Sequence, residues 1–339
     1  MITISVCMIV KNEEAILARC LDCIKGIADE IIIVDTGSTD QTKEIAKKYT
    51  DKIYDFKWIH DFAAARNFSF SKATKDYIYV ADADEMIDKE NIERFQGLKQ
   101  VLLPEIEIVQ MLYTNQLEFG TTYNYDSEYR PKLYKRIRTF QWVDQIHETV
   151  EINPVIYDSD IEIIHKPSGN HAGRDFRTFL TLLEKGERLS KKLVNMYAKE
   201  LFIAGSDKDF IEAKEFFLNV LEDDERTMDE KKDAQCVVCK CCRIQDDIHN
   251  LLKNSIKGIA DKNPSSEICY ELGEYFYEMK DYKEATIWFY NAAYEAASSL
   301  NIHYGGDYPL KRLSDCYRKI GDEEQAKIYE ELAKEWSVK

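Results

Sequence analysis

Three near-continuous apolar runs stand in the first 85 residues: "ITISVCMIV", "EIIIV" and "YIYVA". A strand with one face in water alternates polar and apolar residues, so an unbroken run predicts burial on both faces, as in a parallel sheet flanked by helices. The intervening chain has helical spacing. "KNEEAILARCLDCI" places Ile16, Leu17, Cys20 and Ile24 on one side, behind Asn12 as a cap. Ser38 and Gln41 fit a capping box opening "QTKEIAKKY". "KIYDF" reads as a further strand and "HDFAAARNFSFSKA" as a further helix before "DYIYVADADE". This strand–helix alternation predicts an α/β domain with a right-handed, doubly wound, mostly parallel sheet.

The texture then changes twice. Residues 105 to 165 are strand-rich and irregular, through "IEIVQMLYT", "RPKLYKRI", "QWVDQIHETVEI" and "DIEIIH". From about Asn170 the pattern is helical to the end and contains an internal repeat. Leu272, Gly273, Phe276, Ala285, Phe289 and Ala292 follow a tetratricopeptide helix-pair pattern. Leu313, Tyr317, Ala326 and Ala333 repeat it, and Ala204, Ala213 and Phe217 give a weaker copy. Small residues recur where helices must approach closely, and aromatics where they interlock. The uneven spacing makes the array degenerate, and a plain helical bundle is the simpler rival. With 339 residues two domains are expected. They are a Rossmann-like α/β domain over 1–170 and an all-α, tetratricopeptide-like domain over 196–339, joined by a helical linker over 171–195.

Bulk composition narrows the partners. A net charge of −16 opposes a nucleic-acid partner but not a nucleotide, whose charge a metal can offset. No run approaches 18 apolar residues, so no membrane span is expected. The first strand begins at Ile2 without a secretion signal, and nine cysteines then suggest a reducing compartment. The expected location is the cytoplasm.

Chemistry concentrates at strand ends. Asp82 and Asp84 stand two apart after a buried strand, at the edge where open α/β sheets bind ligands. Such carboxylates need a positive partner, and their hard oxygens suit Mg²⁺ or Mn²⁺ beside a diphosphate. An acidic turn capping the next helix would look the same. "DTGS" after the second strand resembles an aspartic-protease loop, but no second copy follows and the context is not all-β. A DxD phosphatase would want Thr or Val where Met86 stands, and a nucleotidyltransferase a glycine-rich loop where "VKNEE" has none. "DQIHETV" clusters Asp144, His147 and Glu148, a set able to supply a general base. His165 ends a strand, and His171 follows in the Gly-rich "SGNHAGR", a candidate lid. Arg130 and Arg136 could hold a diphosphate, although surface charge explains them as well. "CVVCKCC" has no turn residue to gather zinc ligands, so buried packing cysteines are the expectation.

"VKNEE", "VDTGSTD", "ARN" and "DADE" occur in that order after successive elements. In this the first 170 or so residues resemble the inverting GT-A nucleotide-sugar glycosyltransferases of glycosyltransferase family 2. "FAAARN", "DADE" and "IHE", with the helical-repeat tail, are most similar to the sublancin-type peptide S-glycosyltransferases. The resemblance implies a metal-dependent inverting transfer from a nucleotide sugar, with UDP as the expected carrier. It would place Glu13 beside the ribose, Asp35 on the base, Arg66 on the diphosphate or orienting the acids, and Asp82 on the ribose or a metal-bound water. Val10 and Ala83 would also line the donor site. Asp84 would bind Mn²⁺ or Mg²⁺ with His165. Glu148 would be the base, with His147 orienting it or contacting phosphate and Asp144 in reserve. Thr36 stands where many relatives carry a second aspartate, which leaves the base contact open. The tail would present a polypeptide acceptor, mediate homodimerisation, or both. Cell-surface glycan synthesis and a non-catalytic scaffold are the alternatives.

Overall fold

The computed structural model describes residues 1–115, 127–138, 140–150, 154–166, 172–260 and 265–336. Residues 1–119 and 125–170 form one compact unit, and residues 171–339 belong to a second.

The first unit contains β1 (Ile4–Val10), α1 (Leu17–Ile24), β2 (Glu30–Asp35), α2 (Thr42–Ala46), β3 (Ile53–Asp55), α3 (Phe62–Phe70), β4 (Tyr77–Val80), β5 (Glu85–Met86) and α4 (Lys89–Val101). After these come β6 (Ile108–Thr114), β7 (Glu128–Lys135), β8 (Trp142–Val143), β9 (Thr149–Val150) and β10 (Ile156–His165). One sheet has the order β3-β2-β1-β4-β7-β6-β10-β5, and β8 pairs with β9 separately. β3, β2, β1 and β4 are mutually parallel, as the apolar runs require. β7 then inserts antiparallel between β4 and β6, and β6 runs parallel to β10.

β1 shows why its sequence does not alternate. Ile4, Val6 and Met8 pack with Leu17, Leu21 and Ile24 of α1 and Phe95 of α4. Cys7, on the opposite pleat, packs with Ile32, Val34, Ile78 and Phe68 of α3. Both faces are dry, so both sets of side chains must be apolar.

Two expected caps are absent. α1 starts at Leu17 without a side-chain cap, and Asn12 sits at φ 56° with its Oδ1 accepting from the Thr39 backbone N–H at 2.8 Å. Ser38 Oγ accepts from the Asn12 N–H at 2.9 Å, while Asp40 accepts from the Thr42 N–H and hydroxyl at 3.0 and 2.6 Å. The polar groups of these two loops satisfy each other across the sheet edge, so they are not spent on their own helices.

Among the described residues the second unit is built of helices: α5 (Ala172–Glu184), α6 (Lys191–Ala204), α7 (Asp207–Glu222), α8 (Met228–Ile244), α9 (Ile248–Ala260), α10 (Ser266–Glu278), α11 (Tyr282–Tyr290), α12 (Asp307–Ile320) and α13 (Glu323–Glu335). α6 runs through position 195 without a break, so the helical segment expected as a linker over 171–195 is α5 with the start of α6, grouped with this unit. α8 packs on both α6 and α10, while α10–α11 and α12–α13 pack as successive helix pairs. "CVVCKCC" lies on α8, with Cys236, Cys239, Cys241 and Cys242 buried as free thiols. No helix among the described residues is long and apolar enough to cross a membrane.

Gly273 shows what the small repeat position does. A Cβ there would lie 2.6 Å from the ring of Phe289, which is fully buried and has nowhere to swing. Gly273→Ala should therefore destabilise the helical unit by about 1–3 kcal/mol, despite alanine's better helix propensity. A urea midpoint equal to or above wild type would show that the ring can yield.

Asp233 on α8 is 6% exposed and accepts from Asn195 at 2.7 Å. Burial pushes its carboxyl up to about 6, against that hydrogen bond. A buried acid with a raised pKa costs stability once it must ionise, so this cost grows as pH rises from about 4 through 6. Asp233→Asn keeps the acceptor for Asn195. It should match wild type near pH 4 and exceed it by on the order of 2 kcal/mol at pH 8; equal denaturation midpoints at both pH values would refute this.

Candidate functional site

The site is assembled at the carboxyl edge of β1, β2 and β4. Register aligns Val10 with Asp35 and Cys7 with Val80, so the loops after these strands are neighbours. The Thr36 N–H and hydroxyl both donate to the Val10 carbonyl, at 3.0 and 3.2 Å. Thr36 therefore ties two strand ends together, and the Val10 carbonyl is occupied. Asp35 Oδ1 accepts from the Gly37 and Ser38 N–H groups, both at 3.0 Å, in a turn where Gly37 has φ 104°. Its Oδ2 is buried and has no hydrogen-bond partner among the described residues. Half-buried Glu13 lies just before α1, its N–H bonded to Thr42 Oγ1 at 2.7 Å.

The acidic loop after β4 is held from several sides. Cys20 Sγ donates to the Asp82 carbonyl at 3.3 Å, and the Lys166 N–H donates to the Asp84 carbonyl at 2.8 Å. Ala83, between the two acids, is buried in the core. Asp84 Oδ2 lies 3.3 Å from His165 Nε2, and its Oδ1 is buried without a partner among the described residues. β10 brings His165 there by pairing antiparallel with β5, His165 opposite Glu85. Among the described residues no third acid, cysteine or histidine joins them in a metal-binding set.

Asp82 faces a different partner. Its Oδ1 is 3.0 Å from Arg66 Nη2 and its Oδ2 is 3.9 Å from Lys132 Nζ. Burial alone would raise this carboxyl, but Arg66 and Lys132 hold it well below the usual carboxylate range. Arg66 Nε also pairs with Glu148, and its guanidinium lies 5.2 Å from the centroid of the Trp142 ring. Burial opposes the Arg66 charge, yet Asp82 and Glu148 outweigh it and raise Arg66 above the ordinary arginine range. "ARN" thus has a geometric meaning. Arg66 holds the acids, while the Asn67 side chain exchanges two hydrogen bonds with the Trp142 backbone, at 3.0 and 2.8 Å.

Asp144, His147 and Glu148 share the loop between β8 and β9, which the Phe62 N–H at the start of α3 grips through the Gln145 carbonyl at 2.9 Å. Asp144 and His147 sit at φ 70° and 50°. Of the seven non-glycine residues with positive φ among the described residues, Asp246 and Lys280 follow helices, and the other five (Asn12, His60, Asn115, Asp144 and His147) lie in loops of the first unit. Strain of this kind collects at ligand sites.

Two residues escaped sequence reasoning. Lys132 on β7 is 4% exposed, with Nζ 2.6 Å from Glu85 Oε1. Burial pushes Glu85 up to about 7 even beside that lysine. The signal was a lysine next to the buried pair Leu133 and Tyr134. Arg136, in contrast, donates to the Lys75 carbonyl at the amino end of β4, on the edge away from the site, so it cannot serve a diphosphate there. Arg130 lies over the Tyr113 ring, 4.0 Å from its centroid. His171 and residues 167–170 fall outside the described residues.

Residues 5–171 match the family model described as Glycosyl transferase family 2. The N-terminal unit is a domain of glycosyl transferase family 2. The chain is 28% identical over 222 residues to the SPbeta prophage-derived glycosyltransferase SunS of Bacillus subtilis, covering 62% of this chain and 52% of SunS. An uncharacterized glycosyltransferase of Rickettsia typhi is 30% identical over 48% of this chain and 56% of its own. A TPR repeat-containing protein of Synechococcus elongatus is 47% identical over 85 residues, 25% of this chain and 21% of its own. The chain thus spans about half of the two glycosyltransferases and a fifth of the repeat protein. Among solved structures, glucosyl-3-phosphoglycerate synthase from Mycobacterium tuberculosis, in complex with Mn²⁺ and UDP-glucose, aligns with a TM-score of 0.39 at 16% identity, covering 56% of this chain and 81% of that one.

Proposed function

We propose that this family 2 domain is a metal-dependent inverting glycosyltransferase moving a hexose or N-acetylhexosamine from a UDP-sugar to a peptide or protein side chain. The observation that carries the donor half is the pair of buried, unused carboxylate oxygens, Asp35 Oδ2 and Asp84 Oδ1, on the loops after β2 and β4. Burying an unpaired acceptor costs about 1–3 kcal/mol, which a ligand supplying a donor or a cation recovers.

Asp35 Oδ2 would accept from the base, Glu13 would approach the ribose, and Val10 and Ala83 would shape the pocket. Asp84 with His165 offers the mixed oxygen–nitrogen donor pair that Mn²⁺ or Mg²⁺ takes, leaving the other positions to diphosphate and water. A cation held there would offset the charge developing on the leaving diphosphate. Glu148 would remove the acceptor proton, with His147 and Asp144 shaping the loop that presents it. The helix pairs would present the polypeptide or join two copies. The nine free thiols fit a reducing compartment such as the cytoplasm.

The test is calorimetry and thermal shift with UDP-, GDP- and dTDP-sugars, with and without Mn²⁺ or Mg²⁺, then mass spectrometry of candidate peptides. A cognate donor at a hundredfold excess over its Kd should stabilise the protein by roughly 3 kcal/mol. No metal-dependent stabilisation by any nucleotide sugar would end this reading.

A further inference from the structure

We infer that Arg66 is a positioning residue that locks the base Glu148 to the donor-side acid Asp82, and that it does not bind the diphosphate. The inference rests on the transferase reading above, but it concerns which group the guanidinium serves.

Two corners of the Arg66 guanidinium are already paired with acids. Its Nε is paired with Glu148 and its Nη2 with Asp82 at 3.0 Å, while its Cζ lies 5.2 Å from the centroid of the Trp142 ring. Only 12% of the side chain is exposed. Both carboxylates come from distant parts of the chain, Asp82 from the loop after β4 and Glu148 from the loop after β8. A planar fork can hold two carboxylates at fixed directions; a lysine ammonium cannot.

The helix bearing Arg66 also fixes what surrounds it. Asn67, the next residue, binds the Trp142 backbone in both directions, and Phe62, one turn earlier, binds the Gln145 carbonyl. α3 is thus a splint for the Glu148 loop, and Arg66 is the point where the splint touches the reacting acid. Turning the guanidinium toward a diphosphate would strip the cation from Glu148, whose side chain is also only 12% exposed. Leaving a buried charge unpaired is the costly outcome, so the pairing should persist when donor binds. The charge of the diphosphate would then have to be met elsewhere, by a cation that Asp84 and His165 would hold.

The experiment uses the full chain, UDP with Mn²⁺ in calorimetry, and hydrolysis of UDP-glucose as turnover. Arg66→Ala should bind UDP·Mn²⁺ within about threefold of wild type and lose turnover by roughly a hundredfold or more. Arg66→Lys should restore little, whereas added methylguanidinium should restore part of the Arg66→Ala turnover, a rescue that mere loss of folding stability would not show. Adding Glu148→Gln to Arg66→Ala should cost less than tenfold further, because the base is already displaced. If Arg66→Ala unfolds, Arg66→Lys carries the same test through its UDP affinity. A tenfold or larger loss of UDP affinity with turnover retained at saturation would overturn the inference and make Arg66 a diphosphate ligand. Wild-type protein that binds no UDP in the presence of Mn²⁺ would instead remove the transferase reading itself, and the inference with it.

Discussion

Glu148→Gln should bind UDP·Mn²⁺ as tightly as wild type, within a few-fold, yet transfer sugar roughly 10²–10⁴ times more slowly. The amide has nearly the shape of the carboxylate, and its oxygen can still accept from Arg66 Nε, so the loop between β8 and β9 has no reason to move. Arg66 keeps Asp82 as its other anion, at 3.0 Å, and the donor-side acids remain in place. What disappears is the negative charge and, with it, the ability to take a proton from the attacking acceptor. Calorimetry with UDP·Mn²⁺ reads the first half of the expectation and UDP release from the donor sugar reads the second. Normal turnover would move the base to Asp144, which lies on the same loop.

Asp84→Ala should remove the metal dependence of nucleotide binding and cut transfer by about a thousandfold or more, since a cation at the leaving diphosphate supplies several kcal/mol. Its effect on the fold should be the opposite of a core truncation. Asp84 Oδ1 has no hydrogen-bond partner among the described residues, and the carboxylate lies in the same turn as Asp82 and the buried Glu85. Glu85 is pushed up to about 7 by burial, with Asp82 and Asp84 adding repulsion. Removing one negative charge from that turn should leave the metal-free melting temperature unchanged or raised. Chelating the metal from wild type should reproduce the loss of binding without lowering that melting temperature. A variant that keeps metal-dependent UDP binding would show that the cation is held elsewhere, and one that melts well below wild type would give Asp84 a structural role.

The parallel half of the sheet was legible because β1, β2 and β4 are buried on both faces, and burial on both faces leaves an apolar run in the sequence. The structure adds caps at Asp61, Ser190, Ser206 and Thr227, none of them read from the sequence above, although each is local: a short polar side chain reaches an N–H three residues on. The failures at Asn12 and Ser38 have the same origin seen from the other side. Their side chains had a better partner on a neighbouring loop, which no local pattern contains.

Residue types at strand ends, the order of the motifs and the small-residue positions of the helix pairs were fixed by the sequence alone, because each depends on neighbours a few residues away. Tertiary structure decided the rest. The insertion of antiparallel β7 between β4 and β6 brings Lys132 to Glu85, 47 residues away. The loop after β8 brings Glu148 to Arg66, 82 residues away. "ARN" and "HE" announce an arginine and a glutamate, but only the packing of α3 against that loop makes them one buried ion pair, since the strength of a charge pair depends on separation in space and on exclusion of water.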